Sequence, residues 1–289
     1  MRAPNPRSGQ FPRAGIRVFV CLVACVVALA SRTCGQCSFT ASSVGKSFTY
    51  QFEPVVTNGG LLLHVTQEFK GGHEGTTELE LPSDWAGQTH LEAQVTNLRA
   101  VSGDTVLPDT PRPNIKTLRF PPDHIVAISY DLVRDWQDVF ENPKQFRAVL
   151  GPTFFEFTTP NALVHPKLNP VDMVNAHFDW QKLPIGWTVE TSFGIDNRCQ
   201  SFTGFWYQVE DALFAGGDFR LHQVTVHNQN VMVAIQGKWS FTDEEATSQI
   251  QKIITVEREF WRDFDFPLCF ARIKSAFEMN NIQRGDVTL

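Results

Sequence analysis

No stretch of this chain is apolar for the roughly 20 residues that a helix needs to cross a bilayer. The longest run, Val18 to Ala30, has 13 residues. Basic residues are also short, 25 Lys and Arg against 31 Asp and Glu. No basic stripe with interleaved aromatics appears, which argues against nucleic acid as a partner. Strands alternating with long helices, the pattern of a parallel α/β sheet, are missing as well. Tyrosine is nearly absent, with three copies against 24 Phe. Charged residues at 19% and hydrophobic residues at 42% exclude global disorder.

What is present begins with a leader. Arg2, Arg7, Arg13 and Arg17 precede the apolar run, which closes on Ala28-Leu29-Ala30. This is a signal-peptide pattern over residues 1–30, with cleavage near Ala30 and export to a periplasmic or extracellular space. Leu22-Val23-Ala24-Cys25 has the form of a lipoprotein box, but it sits inside the run rather than at its end, which disfavours lipid anchoring. The leader takes four basic residues and no acidic ones, so the net charge moves from −6 to −10. That charge disfavours strong binding to anionic membranes after cleavage.

Four cysteines remain after cleavage: Cys34, Cys37, Cys199 and Cys269. Export permits disulfides, and all three pairings stay open. Cys34-Gly35-Gln36-Cys37 has redox-motif spacing, but Ser-, Thr- and Gly-rich sequence follows where a helix would be needed. Residues 31–42 are therefore expected to be a flexible or locally bridged mature terminus.

From Phe48 to Phe219 short alternating segments are punctuated by Pro and Gly. Phe48-Thr49-Tyr50-Gln51-Phe52, Leu61 to Phe69, Thr76 to Leu81 and Ile125 to Leu132 set the pattern. Many short strands at close spacing predict a mainly β chain, with an antiparallel β-sandwich over 43–215. After Gly216-Gly217 two strands and one long helix are expected, a small α+β fragment over 216–267. Thr242 caps the helix, Glu245 completes a capping box, and Ile250, Ile253 and Ile254 recur at helical spacing to about Arg262. Residues 268–289 read as a polar, divergent tail with too little mass to cover that helix.

Catalytic strings fail one by one. His73-Glu74 opens a zincin pattern, but Gly75-Thr76-Thr77 follows and no second His stands one turn on. His64, His90, His124, His165, His177, His222 and His227 form no strong ligand pair. Gly45-Lys46-Ser47 lacks the earlier glycine of a phosphate loop, since Thr40 occupies its place. No Gly-x-Ser-x-Gly or G-x-G-x-x-G follows a strand. Asp135 with Asp138, and Asp263 with Asp265, read as solvated surface. Trp180, Trp206 and Tyr207 are candidate ligand-contact aromatics; with Trp187 they otherwise fill a sandwich core.

One family accounts for the order of the motifs. Gly75-Thr76-Thr77-Glu78-Leu79-Glu80-Leu81-Pro82-Ser83-Asp84-Trp85 resembles a stretch in the N-terminal domain of glycyl aminopeptidase-like metallopeptidases, metallopeptidase family 61. Leu183-Pro184-Ile185-Gly186-Trp187 resembles that domain's late strand entry, and Gly216-Gly217-Asp218-Phe219-Arg220 its exit. Val231 to Trp239, the helix to Trp261, and Asp265-Phe266-Pro267 are similar to the start of the catalytic domain. Family members continue to a His-Glu-x-x-His helix and a further Glu, where zinc-activated water cleaves a peptide bond near a free N-terminus. This chain turns aside after Leu268, so no zinc ligand or base can be carried over. The resemblance implies zinc in the complete family and no cofactor here. It implies the N-terminal, non-catalytic portion of an exported aminopeptidase-like protein, truncated or degenerate. Its expected partners are a peptide substrate or the missing catalytic portion. The alternative is an exported β-sandwich module that binds peptide or glycan.

Overall fold

The computed structural model describes residues 37, 39, 45–57, 60–102, 107, 112–135, 146–264, 269–279 and 282–288. Contacts divide the chain into Met1–Gly35 and Gln36–Leu289, and the fold is that of the second unit. The expected signal peptide, Cys34, Asp138 and Asp265 lie outside the described residues.

Two sheets form the sandwich. The larger has six strands in the order β13 (Cys199–Phe205), β10 (Met173–Asp179), β1 (Lys46–Thr57), β2 (Gly60–Lys70), β6 (Ile125–Leu132) and β4 (Val95–Ala100). The second has β12 (Gly194–Ile195), β11 (Thr188–Thr191), β14 (Leu213–Gly217), β8 (Phe154–Thr158) and β7 (Val149–Leu150). A three-stranded sheet, β5 (Ile115–Arg119), β3 (Thr76–Glu80) and β9 (His165–Pro166), also contributes to the core. Pairing is antiparallel in these sheets except for β1 with β10, which run parallel. The mainly β expectation therefore holds, with one pair of opposite sense.

The alternation read in the sequence is the alternation of burial. Phe48, Tyr50 and Phe52 on β1 and Leu61, Leu63, Val65 and Phe69 on β2 point inward. The phenylalanines fill the space between the sheets by ring packing. Phe52 stacks on Trp180 with centroids 4.0 Å apart, and Phe157 on Phe214 at 5.1 Å. Two of the three tyrosines do polar work inside this core. Tyr50 donates to the Val164 carbonyl at 2.9 Å and accepts from Gln67 Nε2 at 2.9 Å. The Tyr130 hydroxyl accepts from Val164 N at 3.2 Å. The segment leaving the short helix α1 (Thr159–Ala162) thus keeps its backbone groups paired without water.

Cys37 is bonded to Cys199, which excludes a local Cys34–Cys37 bridge. The link ties Cys37 to the edge strand β13, and Phe39 stacks on His177 at 4.4 Å. Leu183 to Trp187 is a turn clasped by Arg198, whose guanidinium donates to the carbonyls of Leu183, Pro184 and Trp187.

The C-terminal region departs from expectation. A four-stranded sheet runs in the order β15 (Arg220–Val226), β16 (Gln229–Ile235), β17 (Cys269–Met279) and β18 (Ile282–Thr288). Helix α3 (Asp243–Trp261) lies across it, capped by Thr242 and Glu245 as predicted. Within the region read as a divergent tail, Cys269–Met279 and Ile282–Thr288 are therefore strands, and β17 pairs in parallel with β16. Ala271 and Ile273 join Val231, Val233 and Ile235 beneath Ala246, Ile250 and Ile254 of the helix. A strand read as mean polarity hides this, because alternation sends its apolar residues to one face and its charges to the other.

The charge that goes the other way is Arg272, 0% exposed. In the second sheet Glu156, Ala215 and Glu190 stand side by side across β8, β14 and β11. Ala215 leaves room between the two carboxylates, and Arg272 enters there. It lies 3.1 Å from Glu156 Oε1 and 3.8 Å from Glu190 Oε2. Beside it Phe154, Phe219 and Ala234 form the apolar part of the joint. Gly216 and Gly217 leave room for the rings of the neighbouring strand β8: a Cβ at Gly216 would sit 2.5 Å from the Phe155 ring, and one at Gly217 2.6 Å from Phe154 Cβ. Burial pushes the Glu190 carboxyl up to about 7, against the pull of Arg272 and with the push of Glu156.

Arg272→Met leaves these carboxylates without their cation and is expected to cost about 3–5 kcal/mol at pH 8. At pH 5, where Glu190 holds its proton, the cost is expected to be smaller; urea unfolding at both pH values measures it. In the parent protein Glu190 keeps its proton longer folded than unfolded. Its contribution therefore declines as pH rises from 4.5 toward 7, by about 3 kcal/mol at most, and Glu190→Gln removes that slope. Reducing Cys37–Cys199, whose partners are 162 residues apart in sequence, is expected to lower stability by about 2–4 kcal/mol, read as a drop in Tm with dithiothreitol.

Candidate functional site

A concave site of about 350 Å³ opens at one rim of the sandwich, where Glu80, Asp84, His165, Glu210 and Asp211 converge. Each arrives by a different route. Glu80 ends β3 and is the register partner of His165 on β9. Asp84 follows in the turn after Pro82 and accepts from the His90 backbone N–H at 3.2 Å. Glu210 closes the short helix α2 (Trp206–Glu210), with Asp211 as its C-cap. Thr159 binds α1 to α2 by donating to the Val209 carbonyl at 2.6 Å. Trp206, packed edge-on against Phe48, lies under the His165 ring at 4.7 Å.

Charge is one-sided here. Among the described residues the lining carries four carboxylates and neither Lys nor Arg. Burial raises the Glu80 carboxyl, Lys167 pulling it back and Glu78 adding to the rise. Burial raises Glu210 too, followed by repulsion from Asp211 and Glu80. Burial pushes His165 down to about 4, so its imidazole is neutral at physiological pH. Its Nδ1 lies 3.1 Å from the Pro166 carbonyl and 3.9 Å from Glu80 Oε2. Such a pocket suits a small cation with hydrogen-bond donors, a protonated amine above all.

A second, larger cleft of about 690 Å³ has Phe48 and Phe69 in its lining, with Lys46, Lys70 and Lys167 among its charges. Those lysines pair with Asp172, Asp123 and Glu78, so its field is largely neutralised.

The aromatics singled out in the sequence separate. Trp180 and Trp206 are 0% and 1% exposed and cannot meet a ligand. Trp180 instead stacks on Phe52 and donates its indole N–H to Gln200 at 3.2 Å. Trp187 is packed against the core. Tyr207 is 47% exposed and stacks with Phe205 at 6.0 Å. His73-Glu74 lies in an exposed turn, His73 facing Asp123 at 3.1 Å. His222 binds Asp243 at 2.7 Å and His227 approaches Glu259 at 3.7 Å, so the two serve different contacts. Asp135 pairs with Arg147. Among the described residues no three of His, Cys, Asp and Glu are grouped to hold a metal, so their donor set does not fit zinc. Glu80, His165, Glu210 and Asp211 were missed as a group because no spacing links them; the Glu210-Asp211 doublet after a Trp was the one local hint.

No family model matches the chain, and no curated protein matches it. Solved structures do. An aminopeptidase N family protein from Idiomarina loihiensis is 16% identical, with a TM-score of 0.61 over 77% of this chain and 38% of its own. An M1 zinc metallopeptidase from Deinococcus radiodurans is 10% identical, TM-score 0.36, over 78% of this chain and 55% of its own. Legionella pneumophila aminopeptidase A, solved with aspartic acid, is 8% identical, TM-score 0.40, over 80% of this chain and 29% of its own. The last two are too distant to carry an argument. The first shows likeness of fold alone, and the chain spans 38% of that protein's length.

His165 is expected to stay neutral well below pH 6 in a two-dimensional NMR titration of the imidazole. Because its folded pKa is lowered from 6.5 to about 4, unfolding takes up a proton between those values. Stability from this group is present above 6.5 and lost as pH falls toward 4, by about 3 kcal/mol at most. His165→Phe should remove that acid-side loss.

Proposed function

We propose that this chain is the peptide-facing, non-catalytic β-sandwich portion of an exported aminopeptidase-like protein, and that the acidic rim pocket receives the free amino terminus of a peptide. The observation that carries the reading is the pocket itself: four carboxylates, neither Lys nor Arg among the described lining residues, and a neutral histidine on a fold like that of an aminopeptidase N family protein. A partly buried carboxylate such as Glu80 or Glu210, facing like charge, gains from a bound ammonium, because the ligand relieves repulsion while making charge-assisted hydrogen bonds. The disulfide Cys37–Cys199 supports an oxidising compartment, in keeping with the leader. Glycyl specificity, and a catalytic portion as partner, are the finer parts of the proposal. They rest on the sequence resemblance alone.

A second reading has its own observation. Phe205 and Tyr207 form an exposed, nearly parallel pair, a surface on which a sugar ring or an apolar peptide side chain could lie.

Calorimetric titration of the purified chain with trialanine and with N-acetyl-trialanine separates the readings. The free amine is expected to bind, acetylation to abolish binding, and Glu80→Gln with Glu210→Gln to weaken it at least about tenfold. Equal binding of both peptides, lost in Tyr207→Ala, would favour the aromatic pair. Chelator-sensitive release of amino acids by the purified chain would overturn the non-catalytic reading.

A further inference from the structure

Helix α3 has a second apolar stripe besides the one that faces its sheet. Ala246, Ile250 and Ile254 are buried against the sheet. Ile253, Val256 and Phe260 recur at three- and four-residue steps on another flank and are 42%, 63% and 75% exposed. Trp261, equally exposed, meets Phe260 edge-on at 4.9 Å. Such steps are the seam spacing of one helix lying along another. An apolar strip of this kind on a soluble surface marks a contact.

The charges beside the stripe select its occupant. Lys252 and Glu259 stand seven residues apart, on the same side of Val256 in helical projection. Both are exposed, and among the described residues Glu259 approaches His227 at 3.7 Å. Lay a second copy of the helix antiparallel, with Val256 on the two-fold axis. Ile253 then faces the other copy's Phe260, and Lys252 faces the other copy's Glu259. Two-fold symmetry makes each of these contacts twice. Antiparallel helices also set their dipoles head to tail. Two copies of a chain with net charge −6 repel as wholes, and the paired Lys252–Glu259 contacts offset that repulsion where the surfaces meet. We infer that this face joins two copies of the chain through an antiparallel α3–α3 contact, independently of what the rim pocket binds.

Sedimentation equilibrium of the oxidised full chain tests this. The parent protein is expected to pass from monomer to dimer mass between about 1 and 200 µM, the range of a small interface. Val256→Glu is expected to raise the dissociation constant at least about tenfold while leaving the circular dichroism spectrum unchanged. Lys252→Glu and Glu259→Lys should each weaken the dimer, and the double exchange should restore it. A parent that stays monomeric across the range overturns the proposal. So does a dimer indifferent to Val256→Glu, or a double exchange no better than either single one.

Discussion

A guanidinium buried between two carboxylates holds the two halves of this molecule in one arrangement. Arg272 enters the row formed by Glu156, Ala215 and Glu190, and its removal from water is tolerable only because charge meets it there. Burying an ion costs several kcal/mol, and that cost is recovered only at one relative placement of the partners. The apolar joint beside it, Phe154 with Phe219 and Ala234, could slide by an ångström at little expense. The ion cluster cannot. Neither Glu190 oxygen has a hydrogen-bond partner among the described residues, so the position of Arg272 rests on Coulomb attraction and shape.

The same economy of polar groups runs through the sandwich. A core crowded with phenylalanine offers nothing to a backbone amide, so the few buried hydroxyls are placed where the chain must leave regular structure. Tyr50 and Tyr130 meet Val164 at the end of α1, with Gln67 completing the chain of bonds. That segment leads directly to His165. Hydrogen bonds made deep in the core thus anchor the residue before His165, and Trp206 packs against the imidazole. A site that must present several like charges without collapsing needs such support, since its own side chains repel.

Much of the architecture was legible in local pattern. Period-two alternation in Phe48 to Phe52 and Leu61 to Phe69 names the inward faces, because a strand puts successive side chains on opposite sides. Thr242 with Glu245 marks the start of α3, because the cap is a contact among neighbours in sequence. The last strands were not legible. Arg272 looks like a mark of solvent exposure until Glu156 and Glu190 are seen facing it, and those lie more than 80 residues away in sequence. Trp180 and Trp206 had the composition of a binding platform, and only packing decided that they are core.

The sequence by itself determined the mainly β character, strands such as β1, β2, β3 and β6, and the start of α3, because each depends on residues close together in the chain. Tertiary structure alone decided that Cys37 meets Cys199, that β17 lies beside β16, and that Glu80, His165 and Glu210 share one pocket. Those are encounters between distant segments. Their energies depend on distance and burial, which no spacing in the sequence encodes.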